Sequence, residues 1–469
     1  MTEQPPRRRS ATLAATLSFV VPGLGQLALG SVRRGLLYLL PVAALVAFAA
    51  AVAAANPVRF LASLVRPDVL VGVFILNLCL FAWRSLASVD AWRTVAEGTP
   101  RGALTTVVVV ALLLATAATH VVIGATTYLA YDAVTAITGD GGFGALPAGS
   151  PASTLEPSPG ATPTPTPEPT PSPTPAPPPL ADGRLDILLI GADAGPYRWS
   201  LRADTLIVLS VDVGTGRAAF FGIPRNLLNV PLPEESRGAF ECGCFPGLIN
   251  ALYVYASGHP DDFPGQDELR GLRAVQGAIG ELTGLQLDGM VVVKLQGFVH
   301  LVDAIGGLDI DVPEGVYDAN YPLEDGRGKI VLHIRPGRQH FDGRTALAYA
   351  RSRHQDSDHG RMKRQQITLV ALGRQLMGQP LLTKVPELLA IARENLWTNL
   401  DIEDLPAFIE LAQRVDVAQI GRFAFIPPKY PEFLDTAAIE GIRAEVAGVF
   451  QPIGSPVPTP QPTERPGVL

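Results

Sequence analysis

The sequence predicts an α/β domain, a sheet layered with helices, that follows an all-helical membrane region. Three observations support this prediction. Apolar residues crowd into the first 130 positions of the 469-residue chain. Between residues 184 and 451, short apolar runs are mixed with segments of helical periodicity, as in a sheet covered by helices. A segment rich in Gly, Pro and Thr separates the two parts.

The N-terminal region, residues 1–135, contains three apolar stretches long enough to cross a bilayer, at 36–55, 69–86 and 104–130. About 20 helical residues at 1.5 Å each span the hydrocarbon layer. An earlier apolar stretch, residues 12–29, is interrupted by PGLGQ at 22–26, which predicts a broken or re-entrant helix. Buried helices of a soluble core are the weaker alternative, because three such runs occur within a hundred residues.

Basic residues predict the orientation, since cytoplasmic loops are enriched in Arg and Lys. The clusters that we assign to the cytoplasm are Arg7, Arg8 and Arg9; Arg33 and Arg34; and Arg84, Arg93 and Arg101. The chain would then be a multi-pass protein of the cell membrane that crosses the bilayer three times. Its C-terminal domain would lie outside the cell. Arg59 and Arg66 would lie outside, a mild departure from the rule.

Residues 136–183 form a Gly/Pro/Thr-rich extracellular linker that ends in PTPTPEPTPSPTPAPPP. Such a chain favours polyproline II and acts as a semi-rigid spacer. Residues 452–469 are a second Pro-rich segment, which we expect to be disordered.

Residues 184–451 form the predicted α/β domain. Its apolar runs predict strands. In the last of these runs apolar and polar residues alternate, as in an edge strand with one solvent-exposed face. The predicted strands are 185–191, 205–212, 217–223, 290–295 and 307–312, and the predicted helices are 267–282, 297–305, 361–377 and 386–395.

Several classes of function are disfavoured by the sequence. No GxSxG, HExxH, Walker A or CxxC motif occurs, and the seven histidines have no metal-ligand spacing. The chain is acidic, with a net charge of -7, and the domain lacks a broad basic face, so we expect no nucleic-acid partner. Cys242 and Cys244 form a CGC sequence, which leaves open a tight disulfide or two free thiols.

Polar residues lie where predicted strands begin or end, which is where ligands bind in open α/β sheets. Asp193 follows the first strand, Arg202 and Asp204 precede the second, and Arg225 with Asn226 follows the third. Further along, the segment YARSRHQDSDHGRMKRQQ at 349–366 concentrates basic side chains. Each residue taken alone reads equally as a turn former or a surface charge. Together they predict a site for a metal ion and an anion.

The motifs DILLIGADAG, RADT, GIPRN, LVDAIGGLDIDVP and GRTALAYARSRHQDSDHGRMKRQQ resemble, in order and spacing, those of the LytR-CpsA-Psr family of cell-envelope proteins. The resemblance implies an α-β-α layered domain with a long apolar pocket for a prenyl chain, which we place at residues 291–301 and the later helices. It also implies a magnesium-assisted phosphotransferase that moves a glycopolymer from a polyprenyl-pyrophosphate carrier to peptidoglycan. The acceptor would be a sugar hydroxyl, by family analogy the 6-hydroxyl of N-acetylmuramic acid.

The resemblance also assigns roles to residues. Arginine forks bind phosphate oxygens bidentately and keep their charge. The residues expected to bind the pyrophosphate are Arg202, Arg225, Arg351, Arg353, Arg361, Arg364 and Gln365. Those expected to act in catalysis are Arg225, Arg353, Arg361 and Asp358. Asp193 and Asp204 would hold Mg²⁺, and Asp358 would either help to place the metal or orient an arginine.

One departure from the family pattern keeps other functions open. Asn226 stands where the family usually has Asp. An amide can still hydrogen-bond and orient Arg225, but it cannot serve as a base or a charged ligand. The alternatives to transfer are a polyprenyl-pyrophosphate phosphatase with water as acceptor, and a non-catalytic envelope protein that binds or regulates.

Overall fold

The chain divides into two units, one made up chiefly of Met1–Thr135 and the other of Ala136–Asp404 and Glu410–Leu469. The structure, a computed structural model, describes residues 11–96, 103–138, 182–193, 202–265, 269–323, 328–353, 358–379 and 384–451. Most of the predicted linker, at 139–181, and the predicted tail, at 452–469, lie outside the described residues.

The first unit is helical throughout its described residues. Its helices are α1 (Ala11–Val20), α2 (Leu24–Ala28), α3 (Val32–Ala55), α4 (Pro57–Ser63), α5 (Pro67–Ala96) and α6 (Ala103–Thr138). Three segments are long and apolar enough to cross a membrane, namely Val32–Ala55, Pro67–Thr94 and Thr105–Thr138. The prediction of an all-helical region with three long apolar helices is confirmed.

The PGLGQ break separates α1 from α2, as the sequence predicts. Gly23 has a left-handed φ of 99°, and a Cβ there would lie 2.2 Å from the Gly35 carbonyl oxygen of α3. Gln26 is fully buried, and its Nε2 donates to the Ala87 carbonyl oxygen at 2.8 Å and to Asp90 Oδ2 at 3.1 Å, both on α5. The break is therefore a packed junction between helices.

The second unit is a mixed α/β domain. Its strands are β1 (Arg184–Asp193), β2 (Arg202–Asp212), β3 (Ala218–Gly222), β4 (Val230–Pro231), β5 (Cys244–Phe245), β6 (Gly289–Lys294), β7 (Leu308–Val312), β8 (Val316–Pro322), β9 (Lys329–Ile334), β10 (Gly337–Phe341), β11 (Leu396–Thr398) and β12 (Gly421–Ala424). The helices of the C-terminal part are α7 (Ile249–Gly258), α8 (Arg270–Thr283), α9 (Leu295–Ala304), α10 (Gly343–Arg351), α11 (Asp358–Met377), α12 (Val385–Asn395), α13 (Leu405–Ala412) and α14 (Thr436–Gly448).

Six strands form the central sheet, in the order β11-β6-β1-β2-β3-β12. β1, β2 and β3 are antiparallel neighbours, while β6 runs parallel to β1 and β12 parallel to β3. The strand predicted at 307–312 does not join this sheet. It is β7, which pairs with β10 in a separate two-stranded sheet and keeps the predicted alternation of buried and exposed residues.

Helices cover both faces of the sheet, which confirms the predicted α-β-α layering. On one face, Leu188, Ile190, Val208 and Phe221 form a core cluster with residues of α7, α8 and α14. On the other face, α9 and α11 pack against the sheet. Cys244, the first residue of β5, forms a disulfide with Cys242.

The two faces of the central strands differ in burial. Leu188 and Val292, on the first face, are completely buried. On the second face, Ile207 of β2 is buried, but a row of apolar side chains around it on β1, β2 and β6 is only half-buried; this row consists of Ile187, Leu189, Leu209, Val291 and Val293. We call this row the apolar sheet face.

Candidate active site

The apolar sheet face ends at a β-bulge that carries Asp204. Thr205 is the register partner of Gly191, and Ala203 is the partner of Ala192, so Asp204 is the extra residue on β2. A bulge of this kind changes the direction in which a side chain points and is common next to active sites. The Asp204 carboxylate accepts a hydrogen bond from Arg225 Nη1, in an ion pair that is about four-fifths buried on both sides.

Helix α11 brings a second ion pair to the same place. It begins at Asp358, three residues before the start that the sequence suggests, so Asp358 and Arg361 share its first turn. Arg361 Nη1 lies 3.1 Å from Asp358 Oδ1. This contact favours the role of orienting an arginine over the metal role that the sequence left open for Asp358.

Arg361 is the buried centre of the cluster. The residue is 4 % exposed, and in the part of the chain that the structure describes its Nε has no hydrogen-bond partner. Burial lowers the pKa of Arg361, Asp358 and Asp204 raise it, and Arg225 and Arg364 lower it further. The guanidinium nevertheless keeps its proton, because arginine titrates far above neutral pH. A buried N–H without a partner is a costly arrangement that an anionic ligand would relieve.

Arg364 and Gln365 hold α11 in place. Arg364 Nε donates to the Tyr349 carbonyl oxygen at 2.9 Å, and its Nη2 donates to the Ser352 carbonyl oxygen. Gln365 Nε2 donates to Thr205 Oγ1 at 2.8 Å, next to the bulge. Both residues, predicted to bind phosphate, are buried and bonded to protein atoms, so the contacts seen are structural ones.

Two glycines leave room for this packing. A Cβ at Gly191 would lie 2.9 Å from the Cβ of Thr205, and a Cβ at Gly222 would lie 2.6 Å from Met362 Cε of α11. Real Cβ atoms do not approach other atoms so closely. The missing side chain at Gly222 therefore lets α11 lie against β3, and the missing side chain at Gly191 leaves room for Thr205, which bonds to Gln365 of α11.

Asn226 does not hydrogen-bond to Arg225 in the structure. Its Nδ2 donates to Glu432 Oε1 at 2.7 Å, whereas Arg225 pairs with Asp204. The backbone explains the partner: the amide N–H of Leu228 donates to the Glu432 carbonyl oxygen at 2.8 Å, and Leu228 also forms a β-bridge with Phe433. These contacts bring the segment around Glu432 beside Asn226.

The remaining predicted residues are placed in part. Arg351 is half-buried at the end of α10, and Arg353 is exposed two residues later. Asp193 and Arg202 are register partners at the end of the β1–β2 pair, but their side chains lie outside the described part of the chain.

The described residues contain no group of three or more His, Cys, Asp or Glu side chains that could hold a metal ion. This finding is compatible with Mg²⁺, which commonly takes one or two protein carboxylates and completes its shell with water and phosphate oxygens. Asp204 offers one such carboxylate, and Asp193 stands on the neighbouring strand. The magnesium site stays a prediction.

Comparison with known proteins identifies the family. The model of the LytR_cpsA_psr family matches residues 163–425, more than half of the chain. The chain belongs to the LytR-CpsA-Psr family. The matched range contains the bulge with Asp204, the Arg225 segment and helix α11, so the cluster described above lies within the family domain.

Individual relatives within the family are distant. The chain is 25% identical to Biofilm regulatory protein A of Streptococcus mutans over 222 residues, 46% of this chain and 50% of that protein. It is 29% identical to the polyisoprenyl-teichoic acid–peptidoglycan teichoic acid transferase TagV of Bacillus subtilis over 205 residues, 43% of this chain and 46% of that protein. It is also 29% identical to the cell wall biosynthesis protein LcpA of Corynebacterium glutamicum over 248 residues, 45% of this chain and 43% of that protein. The chain thus spans about half the length of these relatives.

Solved structures of similar proteins include a crystal structure of Bacillus subtilis TagV. It has 24% sequence identity, covers 56% of this chain and 95% of that chain, and gives a TM-score of 0.42. A structure titled "TagT bound to LIIa-WTA" has 18% identity, covers 57% of this chain and 90% of that chain, and gives a TM-score of 0.41.

Sequence reasoning missed the contacts that organise this site. Thr205 and Ser352 stand inside the motifs that carry the family resemblance, but nothing in the motifs shows that they bond to Gln365 and Arg364. Glu432 lies 206 positions from Asn226, outside every motif, and no sequence signal points to it.

Proposed function

We propose that this protein transfers a glycopolymer from a polyprenyl-pyrophosphate carrier to peptidoglycan on the outer side of a cell membrane, as a multi-pass protein whose C-terminal domain is extracellular. The observation that carries the proposal is the buried Arg361 guanidinium, with an unpartnered Nε among the described residues, at the end of the half-buried apolar sheet face. A pyrophosphate could accept a hydrogen bond from the guanidinium of Arg361, and a prenyl chain could pack against the apolar sheet face.

The charges of the cluster suit a phosphoryl transfer. Arg225, Arg361 and Arg364 supply three positive charges, and Asp204 and Asp358 supply two negative ones, all within electrostatic reach of Arg361. The acceptor hydroxyl oxygen would form a bond to the phosphorus that bears the glycopolymer and release its proton to solvent, and the bond from that phosphorus to the bridging oxygen would break. Lipid phosphate would leave with the additional charge, which fixed guanidinium groups stabilise.

Asp193 and Asp204 are the residues that would hold Mg²⁺, which would neutralise phosphate charge next to these carboxylates. Asp204 also accepts a hydrogen bond from Arg225, and Asp358 forms an ion pair with Arg361. We therefore assign to Asp204 the second role of orienting Arg225, and to Asp358 the role of orienting Arg361. Arg353, exposed at the end of the α10 segment, is available to contact the phosphates of an incoming substrate.

The test uses the full chain in lipid nanodiscs with Mg²⁺ and a polyprenyl-pyrophosphate-linked sugar, and it measures released polyprenyl phosphate. Release that requires a peptidoglycan acceptor supports transfer. Release without an acceptor identifies a phosphatase, and retention without release identifies a binding protein; either result contradicts the proposal.

Variants connect the activity to the cluster. Arg361→Lys keeps the positive charge but loses the bidentate guanidinium group. We expect turnover to fall by about 10²–10³-fold, the usual cost of losing one oriented hydrogen-bond donor. Arg353→Ala should lower turnover by at least about 10-fold. Arg374→Ala, an exposed arginine in the last turn of α11, is the matched control and should leave turnover unchanged.

A further inference from the structure

Ser352, between Arg351 and Arg353, is buried and held by two different elements. Its hydroxyl donates to Asp318 Oδ2 at 2.9 Å, and its carbonyl oxygen accepts from Arg364 Nη2 of α11. Its amide N–H donates to the Ala348 carbonyl oxygen at 3.0 Å, in the last turn of α10. The backbone between the two arginines is therefore anchored at one point from both sides.

Asp318 belongs to β8, an element to which the sequence gave no function. The residue is 1 % exposed. It lies at a β-bulge: Asp318 pairs with Leu332 and Tyr321 with Ile330, so two residues of β8 face one residue of β9. Asp318 Oδ1 accepts from the Asn320 amide at 3.0 Å, and Oδ2 accepts from the Ser352 hydroxyl. Asp318 itself stands before the extra residue, and it is buried on the same side as Val316 because side chains alternate along β8.

The arrangement has a consequence for the exposed arginine. A long side chain loses rotamer freedom when it binds a ligand. If the backbone at its base is already fixed, the conformational entropy lost on binding is smaller. Displacement of a binding group by about 1 Å can cost about 10²-fold in rate. Anchoring Ser352 fixes the base of Arg351 on one side and the base of Arg353 on the other.

We propose that Asp318 is a positioning residue that acts through Ser352 to fix Arg351 and Arg353 relative to the Arg225–Arg361 cluster. The proposal rests on the function proposed above for its effect on turnover, but its structural part does not. It assigns to the β8–β9 pair of strands the task of holding the arginine-rich segment, in addition to the contact that α11 makes through Arg364.

The test compares variants of the full chain in nanodiscs. Asp318→Asn keeps an acceptor for the Ser352 hydroxyl, Asp318→Leu removes it, Ser352→Ala removes the donor, and the double variant removes both. Asp311→Leu, an exposed carboxylate on β7, is the matched control. Each variant is assayed for polyprenyl phosphate release, thermal unfolding and hydrogen exchange of the Ser352 amide.

We expect Asp318→Asn and Asp311→Leu to stay within about 3-fold of wild-type turnover. Asp318→Leu and Ser352→Ala should each lose about 10–100-fold, and their Ser352 amide should exchange faster. The double variant should regain thermal stability, since removing both partners of a buried hydrogen bond can be nearly neutral. Its turnover should stay low, because the hydrogen bond that holds the Ser352 backbone in place is missing.

Three results would overturn the inference: wild-type turnover in Asp318→Leu, recovery of turnover together with stability in the double variant, or unchanged amide exchange in Asp318→Leu. If the wild-type chain releases no lipid phosphate, the proposed function fails and amide exchange alone decides. Faster exchange in Asp318→Leu but not in Asp318→Asn then supports the positioning of the segment, and equal exchange refutes it.

Discussion

Replacement of Gly191 by alanine tests the packing that joins β1, β2 and α11. A Cβ at position 191 would lie 2.9 Å from Thr205 Cβ and 3.1 Å from Thr205 Oγ1. Opposed Cβ atoms of antiparallel strands are ordinarily about 4.5–5.5 Å apart. The strands must therefore separate or rotate by more than 1 Å, and Thr205 moves away from Gln365 Nε2, now 2.8 Å from its hydroxyl.

The cost has two parts. Overpacking a well-filled position costs about 1–3 kcal/mol, and loss of the Gln365–Thr205 hydrogen bond adds about 1 kcal/mol. A sum of about 2–4 kcal/mol corresponds to a fall in Tm of roughly 4–16 °C for a domain of this size. Thr205→Ala removes only the hydrogen bond to Gln365 and should therefore lose only about 1 kcal/mol of stability.

The assay is calorimetric unfolding of the full chain in detergent. Gly258→Ala is the control, since a Cβ at this last residue of α7 would meet no atom within 4 Å. A Tm for Gly191→Ala within about 2 °C of that control would refute the packing argument. Turnover of Gly191→Ala should also fall, because α11 carries Arg361.

Three further predictions concern other contacts. Asn226→Asp places a carboxylate against Glu432 and should lower the free energy of unfolding, measured by urea titration, by about 1 kcal/mol. Adding Glu432→Gln to the same chain should restore that free energy. An unchanged free energy of unfolding in Asn226→Asp would contradict the contact. Burial raises the pKa of Asp186 against the opposing effect of Arg184, so its contribution to stability is complete below the unfolded pKa of about 3.9 and is lost as pH rises through the raised pKa. Urea unfolding from pH 3 to pH 8 should show Asp186→Asn gaining stability relative to wild type as pH rises, and a pH-independent difference would count against the shift. Gln26→Leu removes two hydrogen bonds to α5 and should destabilise the first unit by about 1–3 kcal/mol in unfolding by SDS; wild-type resistance to SDS would show that the junction does not depend on Gln26.

The family was predictable because its signals are local in the chain. Motifs such as RADT and the arginine-rich segment at 349–366 each occupy a short run of residues, and the order of the runs is visible without a structure. The break at PGLGQ was predictable for the same reason, since Pro and Gly act on the backbone where they stand.

The partners of the site residues were not predictable. Gln365 bonds to Thr205 across 160 positions, and Asn226 bonds to Glu432 across 206. The side chain of Asp204 points to the site because this residue is the extra one at a β-bulge. A bulge depends on how two strands are aligned, which no single strand encodes.

By itself the sequence determined the three long apolar helices, the strands at 185–191 and 205–212, and the residue types that suit a charged ligand. Burial of apolar side chains depends on periodicity within each segment, so it can be read from neighbouring residues. Only the tertiary structure decided that Arg225 pairs with Asp204, that Asp318 holds Ser352, and that Gly307–Val312 leaves the central sheet. Hydrogen bonds and ion pairs need atoms within about 3 Å in a fixed direction, and that precision arises only when distant segments pack together.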